Sequence, residues 1–468
     1  MTGQPLPGFR DFFPEDHAAL RGIFSAWRDA SRRAGFAEYE GPELESLELY
    51  TEKSGDEIVG QLYHFKDKVD RDVALRPELT PTFARMVASR HRHYRKPIKW
   101  FSIPRLFRYE RPQRGRHREH FQWNCDIVGE KTAAAEAELI ATLCLGLSLL
   151  GLGPKDVVVK VSDRGWWDTF LAQHGVKEEG KGEVLRTLDK LEGAEAGEWK
   201  KKLGPLADPV ARALEAKDVR SAGLNELREG VEALGYADWC EVDLRVVRGL
   251  AYYTGVVFEV HDRAGKFRAV AGGGRYDNLL LKLGGEDLPA TGFGMGDAVL
   301  AELLAEKKLL RPAASATEIF VVAEPGERTL ALQLVGGLRR EGHGVDYDPG
   351  HGKWVKQLEL AEAKGARWAL LAGREAAAGK VGLKSWPPES RGQFRSKSGR
   401  EIRFPLNRVR GNGRRWWGDF ALSFLWGSPG GRCRQGGPSG WVGFRAAGPW
   451  GSHLYRSAGS GGDDPGRF

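Results

Sequence analysis

Cysteine is scarce in this chain: four occur in 468 residues, at positions 125, 144, 240 and 433, and no two form a C-x-x-C pair. Such spacing argues against a zinc framework or a disulfide scaffold and suits a reducing cytoplasm. Long apolar runs are missing as well. The most apolar stretch, Leu139 to Gly153, is about 15 residues, short of the ~18 or more that a membrane-spanning helix needs. A buried helix is expected there, and no membrane partner. Met1 to Pro14 has no basic segment followed by an apolar one, so a secretory signal is not expected. Neither a G-x-x-x-x-G-K-[ST] phosphate loop nor a dinucleotide fingerprint occurs, and no internal repeat is present.

What is present is a soluble-protein composition, 41% hydrophobic and 29% charged, over a length that calls for two or three domains. The net charge of +8 has the look of a nucleic-acid binder until it is located. From Ser385 to Phe468 there are 14 Lys and Arg against 5 Asp and Glu, whereas residues 1–384 hold 57 against 58. Any RNA contact by the main body must therefore rest on local patches. The last stretch is rich in Gly, Arg, Ser and Pro. It carries Trp386, Trp416, Trp417, Trp426, Trp441 and Trp450 without helix or strand periodicity. Two readings fit such an irregular tail. One is an RNA-binding segment whose arginines meet phosphates and whose tryptophans stack on bases; the other is the product of a frameshift in GC-rich DNA.

Hydrophobic periodicity divides the rest. Asp16 to Gly35 reads as an amphipathic helix closed by glycine, and Phe36 to Leu44 as a strand with Pro42 suited to an edge. Trp100–Tyr109 and Glu119–Val128 are strand-like and flank the basic connection Glu110 to Arg118, a hairpin whose loop can close over an anion. Ala133 to Leu150 is a helix and Lys155 to Val161 a strand. Trp166 to Ala237 is helical and charged, an inserted module. Strand signals return at Val242–Val247, Val256–His261 and Phe267–Ala271, beside the glycine run Gly272 to Gly274, and Asp297–Lys308 is a helix. Past a linker near 311–317, strands at Glu318–Val322, Gly344–Tyr347 and Trp368–Leu371 alternate with helices at Glu327–Glu341 and Trp354–Lys364. That alternation marks a compact α/β domain with a mostly parallel or mixed sheet. The expected divisions are 1–165 and 241–310 as two parts of one domain, 166–240 as the insertion, 318–384 as the α/β domain and 385–468 as the tail.

Three segments carry the chemistry. Phe107 to Gln122 holds five arginines in eleven residues, on a loop bounded by strands. Guanidinium is always charged and its fork matches phosphate oxygens, so a polyphosphate is the fitting ligand; a solvated basic loop is the bland alternative. In Leu75-Arg76-Pro77-Glu78-Leu79-Thr80 a carboxylate after a fixed turn could hold an ammonium, although a capping box or surface turn also accounts for it. Val247-Arg248-Gly249-Leu250-Ala251-Tyr252-Tyr253-Thr254-Gly255 and Gly272-Gly273-Gly274-Arg275-Tyr276-Asp277 offer close backbone approach and aromatic walls. Pattern alone favours a glycine-rich hairpin with core tyrosines for this set. The histidines at 91, 93, 117 and 120 have no acidic or cysteine partners at ligand spacing and read as solvated basic faces or RNA contacts, with no metal site implied.

Together these segments resemble the histidyl-tRNA synthetases, over about residues 8 to 384. Gly8-Phe9-Arg10-Asp11-Phe12-Phe13-Pro14-Glu15 is similar to the family's start, and Pro42 to the class II motif 1 proline, which in the family lies at the dimer interface. The Arg108 loop resembles motif 2. Arg248–Tyr253 and Gly272–Asp277 resemble the two histidine-specific motifs, and residues 318–384, with Lys356-Gln357-Leu358, the anticodon-binding domain. The resemblance implies an α+β catalytic domain on an antiparallel sheet with a helical insertion, then an α/β anticodon-binding domain. It implies a cytoplasmic homodimer acting on histidine, ATP accompanied by Mg2+, and tRNA(His). Arg108 would contact the α-phosphate and carboxylate region, Arg116 (with Glu110 nearby) the outer phosphates, and Arg248 the α-phosphate as charge develops. Glu78, Thr80 and Gln122 would hold the histidine amino group, Asp126 and Tyr253 the imidazole, with Tyr252 and Tyr276 as walls.

Three features depart from that pattern. Val299, in Gly292 to Leu300, stands where motif 3 usually ends in an arginine that stacks on adenine; valine supplies no such contact. Ala251 replaces an aspartate common in the family, and Lys384-Ser385 leaves the pattern before its usual final helix. The alternative to a ligase is a catalytically inactive histidine-binding paralogue, the regulatory subunit of ATP phosphoribosyltransferase.

Overall fold

The helix Ala134–Leu149, which takes up most of the apolar stretch noted above, packs on the back of a large sheet. A computed structural model describes residues 3–385, apart from 52–59, 114, 190–196, 217, 249–251, 283–284, 311–316, 351 and 374–381. Two compact units, 1–314 and 315–468, divide the chain. The linker and the tail expected at 311–317 and 385–468 lie almost wholly outside the described residues, as does Ala251.

The first unit opens with the helix Pro14–Arg33, followed by β1 (Ala37–Glu38), β2 (Leu44–Ser46), β3 (Tyr63–Lys66) and β4 (Asp72–Leu75). Then come the helix Thr80–Arg90, β5 (Ile98–Ser102), β6 (Arg105–Phe107), β7 (Glu119–Val128) and β8 (Val157–Asp163). Helices occupy much of 164–233, after which β9 (Cys240–Val242), β10 (Val256–Asp262), β11 (Ala271–Arg275) and β12 (Ala290–Gly296) lead into the helix Asp297–Glu306. The main sheet runs β1-β5-β7-β12-β11-β10-β8-β9, with β6 also on β7. Its six central strands are all antiparallel, and only the edge pairs β1–β5 and β8–β9 are parallel. A separate antiparallel sheet joins β2, β4 and β3.

Period-two alternation gives the main sheet two unlike faces. Trp123, Cys125 and Ile127 of β7, Phe293 and Met295 of β12, and Phe258 and Val260 of β10 point into one core with Ile23, Trp27, Leu143 and Leu147 from the covering helices. Trp27 stacks on Trp123 at 5.9 Å, and the Trp123 indole N–H donates to the buried Ser31 hydroxyl at 2.9 Å. Gly146 makes room for this ring, since a Cβ there would lie 2.7 Å from it. A mid-helix glycine costs about 1 kcal/mol of helix propensity, less than the burial of a tryptophan returns. The opposite face carries Gln122, Asn124 and Asp126 beside Gly272, Gly292 and Gly294, whereas Gly273 turns toward Phe258 and Phe293 of the core.

Several expected elements come out differently. Phe36–Leu44 is not one strand but two short ones in different sheets, because the chain leaves β1 and crosses to β2 past Gly41, where a Cβ would overlap Thr82. The strand expected over Val242–Val247 ends at Val242, where the Asp243 carboxylate accepts from the Arg245 N–H at 3.0 Å and turns the chain. Phe267–Val270 is loop, pinned by the Lys266 and Phe267 amides on the Asp262 carboxylate. The glycine run is not a hairpin turn. It is the middle of β11, buried between β10 and β12.

The second unit has β13 (Ile319–Ala323), β14 (Val345–Tyr347), β15 (Trp368–Ala372) and β16 (Gly382–Ser385) in the order β14-β13-β15-β16. The first three are parallel and β16 is antiparallel, so the sheet is mixed. Every residue of β13 is buried, as a strand covered on both faces requires. Ile319 and Val321 pack with Leu334 and Leu338 of the helix Arg328–Arg340, while Phe320 and Val322 pack with Leu358 and Ala361 of the helix Trp354–Ala363. Buried Gln357 accepts from the Ala323 N–H and donates to its carbonyl, both at 2.9 Å, sealing the end of β13.

Candidate active site

On the polar face of the main sheet lie two adjoining cavities. The inner one, about 70 Å3, is lined by Glu78, Thr80, Gln122, Asp126, Tyr252, Tyr253 and Tyr276. The outer one, about 330 Å3, is lined by Glu110, Arg116, His117, His120, Glu259, Arg268 and Val299. Arg108, Arg248 and Gln122 line both. All eleven residues singled out from the sequence thus meet at one place.

The floor is a register effect. Gly292 lies opposite Asp126 and Gly294 opposite Asn124 across β12 and β7, and Gly272 pairs with Gly294 from β11. A Cβ at Gly292 would overlap the Asp126 carboxylate, one at Gly294 the Gln122 amide, and one at Gly272 the Arg248 guanidinium. The glycines therefore hold space for three site side chains that reach over them. None of the three has a positive φ, so close approach rather than turn geometry requires them.

Asp126 is 5% exposed and accepts a short hydrogen bond from the Tyr276 hydroxyl. Burial raises its carboxyl to about 7, against the pull of that hydrogen bond. Glu78 is also buried and accepts from the Tyr252 hydroxyl at 3.2 Å. A surface turn is thus not its setting, and the helix beginning at Thr80 has no side-chain cap. Behind Glu78, buried Arg76 donates to Glu40 at 2.6 Å and to the Gly41 and Arg105 carbonyls, which locks the turn.

Arg108 donates to the Pro77 carbonyl at 2.8 Å, tying the hairpin to the Glu78 turn. Arg116 ion-pairs with buried Glu110, and Gly115 takes φ +68° at the loop tip. Arg10, in the segment matching the family's start, reaches Asp297 at 2.9 Å and Glu119 at 3.3 Å, while the Gly8 carbonyl accepts from Arg118 N–H. That segment braces the hairpin. Arg248 sits at φ +56°, unusual for a non-glycine residue, and pairs with Glu259 at 2.5 Å. Burial works against both charges. For Arg248 the influence of Tyr253 and Glu259 prevails and strengthens the cation; for Glu259 the bonds and charges of His261 and Arg248 prevail and hold the carboxyl at about 2. Arg164 supports the same turn by donating to the Val247 and Arg248 carbonyls.

Sequence reasoning passed over Asn124 and Arg268. Asn124 was legible from the period of β7, which places 122, 124 and 126 on one face. Arg268 had no such signal, being in a loop. The reading of His117 and His120 as solvated basic surface needs correction, since both line the outer cavity. Burial, then Arg108 and Arg10, push His120 down to about 3, so it stays neutral.

An antiparallel six-stranded floor, roofed by a basic hairpin, defines the catalytic architecture of a class II aminoacyl-tRNA synthetase. A family model described as histidyl-tRNA synthetase matches residues 8–297. The chain is 44% identical over 397 residues to the histidine–tRNA ligase of Opitutus terrae, covering 80% of this chain and 91% of that one. It is 41% identical over 391 residues to the chloroplastic/mitochondrial histidine–tRNA ligase of Arabidopsis thaliana, covering 79% and 80%. In fold it is similar to the crystal structure of histidyl-tRNA synthetase from Nostoc sp. PCC 7120, with a TM-score of 0.70 at 22% identity over 82% of this chain and 95% of that one. The chain belongs to the histidyl-tRNA synthetase family.

Proposed function

We propose that the chain is a histidine–tRNA ligase, which activates histidine with ATP to histidyl-adenylate and pyrophosphate and then loads the tRNA(His) 3′ end. The observation that carries this reading is the pairing of a small inner cavity holding a buried carboxylate with an outer cavity lined by arginines. Arg108 and Arg248 stand at the junction.

In this reading Asp126 accepts an imidazole N–H, with Tyr253 beside it, while Glu78, Thr80 and Gln122 hold the ammonium and Tyr252 and Tyr276 form walls. A site built around buried polar groups rejects amino acids that leave them unpaired. The histidine carboxylate oxygen attacks the α-phosphorus, the bond to the bridging oxygen breaks, and pyrophosphate leaves. Arg108 and Arg248 stabilise charge growing at the α-phosphate, and Arg116, aligned by Glu110, takes the outer phosphates. A terminal ribose hydroxyl of the tRNA then attacks the acyl carbon and AMP departs.

Among the described residues no group of three or more His, Cys, Asp or Glu is arranged to hold a metal. Mg2+ would arrive with ATP, held mainly by phosphate oxygens and water, with Glu110 and Glu259 as the carboxylates of the outer cavity. There it would neutralise phosphate charge. The mixed-sheet unit at 318–384 takes the anticodon end in this reading. A homodimer is supported by Leu44 and Phe65, which are 42% and 49% exposed on the small sheet near Pro42. Among the described residues no helix is long and apolar enough to cross a membrane.

The test is histidine-dependent ATP–pyrophosphate exchange by the whole chain and by a truncation at Lys384. Exchange with histidine alone among amino acids supports the reading. Histidine binding without exchange in either form would favour the regulatory paralogue. Intact Arg108 and Arg248 at the cavity junction, and relatives that are histidine–tRNA ligases, stand against that alternative.

A further inference from the structure

Among the described residues four arginines line the outer cavity, and their partners differ. Arg108 is tied to the Pro77 carbonyl, Arg116 to Glu110, and Arg248 to Glu259. Arg268 is the fourth, on the loop between β10 and β11, and among the described residues no hydrogen bond or ion pair engages its guanidinium. Among the described residues, the helix that follows β12 adds no cation to the lining. That helix, Asp297–Glu306, contributes Ala298 and Val299, and Val299 lies so close under the hairpin tip that a Cβ at Gly115 would be 3.1 Å from it.

Arg268 is placed where positive charge is already concentrated. Burial and the Arg116 cation push its guanidinium below the ordinary arginine range, with Glu110 pulling the other way. Two guanidiniums that line one cavity within electrostatic reach of each other repel until an anion comes between them. A diphosphate carries enough oxygen acceptors for both, and bidentate recognition is what a planar fork provides. Nothing about the position calls for structural rigidity, since the side chain is outside the buried core.

We propose that Arg268 is a nucleotide-binding residue that grips the outer phosphates of ATP together with Arg116, supplying from the β10–β11 loop the cation that the Val299 wall lacks. This deepens the ligase reading and rests on it for the identity of the nucleotide, but not for the presence of a polyphosphate site. A charge-assisted hydrogen bond contributes about 1.5–3 kcal/mol, so its loss reads as roughly a ten- to a hundredfold change in affinity.

The experiment uses the full chain with Arg268→Ala and Arg268→Lys, and measures binding of ATP, pyrophosphate and AMP by calorimetry alongside ATP–pyrophosphate exchange. The expected result is that R268A weakens ATP and pyrophosphate about ten- to a hundredfold and leaves AMP within about twofold. R268A should also raise KM for ATP without changing KM for histidine, and R268K should recover part of the loss. Unchanged ATP and pyrophosphate affinity in R268A overturns the proposal. So does an equal loss for AMP, which would put Arg268 on the base or the α-phosphate. If the wild-type chain shows no histidine-dependent exchange yet R268A still loses pyrophosphate, the ligase reading fails and the phosphate site stands.

Discussion

Replacing Asp126 by Asn should make the empty protein more stable and the histidine site worse. The carboxylate fills the space over Gly292 and accepts from Tyr276, and Asn keeps both the volume and an acceptor oxygen for that hydroxyl. Asp126→Ala would instead leave a void beside two strands, so Asn is the cleaner change. Because burial raises the carboxyl from 3.8 to about 7, the folded state holds a proton over that interval that the unfolded chain has released. Stability from this group is fully present below pH 3.8 and is lost as pH rises through about 7. At about 1.4 kcal/mol per unit of raised pKa, the loss above pH 8 amounts to a few kcal/mol. D126N has no such loss. Its Tm relative to wild type should therefore climb by several degrees between pH 4 and pH 8 in the absence of ligand. Binding moves the other way. An amide cannot match a carboxylate as acceptor for an imidazole N–H, and its own NH2 competes for the position. KM for histidine in the exchange assay should rise about ten- to a hundredfold with KM for ATP little altered. A Tm difference that does not vary with pH would refute the buried-charge argument, and an unchanged KM for histidine would remove Asp126 from imidazole recognition.

Three further outcomes follow from the geometry. Glu259→Gln releases Arg248 from its ion pair, so kcat should fall about tenfold or more with histidine KM changed less. The stability that Glu259 contributes is present above its ordinary value of 4.5 and is lost as pH falls toward about 2, so acid denaturation of the variant should be shallower. Gly292→Ala drives a methyl into the Asp126 carboxylate; overpacking of about 1–3 kcal/mol should appear as a lower Tm together with a raised histidine KM. A histidine KM equal to wild type would show that Asp126 can move aside without consequence. Trp123→Ala removes a fully buried indole from between Trp27, Phe293 and Gly146 and should cost about 3–5 kcal/mol in denaturant melts, with loss of soluble protein as the other expected form of failure. A cost below about 1 kcal/mol would contradict the packing described.

Much of this protein is written in local sequence. The amphipathic helix at Pro14–Arg33, the hairpin strands around the arginine loop and the alternating elements after Glu318 are all periodic, and periodicity survives without knowledge of partners. By residue type alone only the arginines crowded on a loop pointed to a ligand; the tyrosines beside glycines read as core, and Asp126 and the tyrosines became candidate site residues through the family resemblance. What only the tertiary structure decided concerns pairing. Gly272, Gly273 and Gly274 look like a turn in sequence, and they are a central strand because β10 and β12 flank them, with Arg248 and Tyr253 over Gly272 and Gly274 and the core rings of Phe258 and Phe293 at Gly273. Asp243 and Asp262 ended or delayed strands through side-chain bonds to nearby amides, a competition that hydropathy does not register. His120 passed for surface in sequence, and folding set it against Arg108 and Arg10 in a desolvated wall. Arg268 became meaningful only when folding brought its loop to the cavity that Val299 lines. Residue types and their spacing determined which chemistry the chain can do, while the register of β7, β11 and β12 decided which side chains share one cavity, because distance in space is not encoded by any single segment.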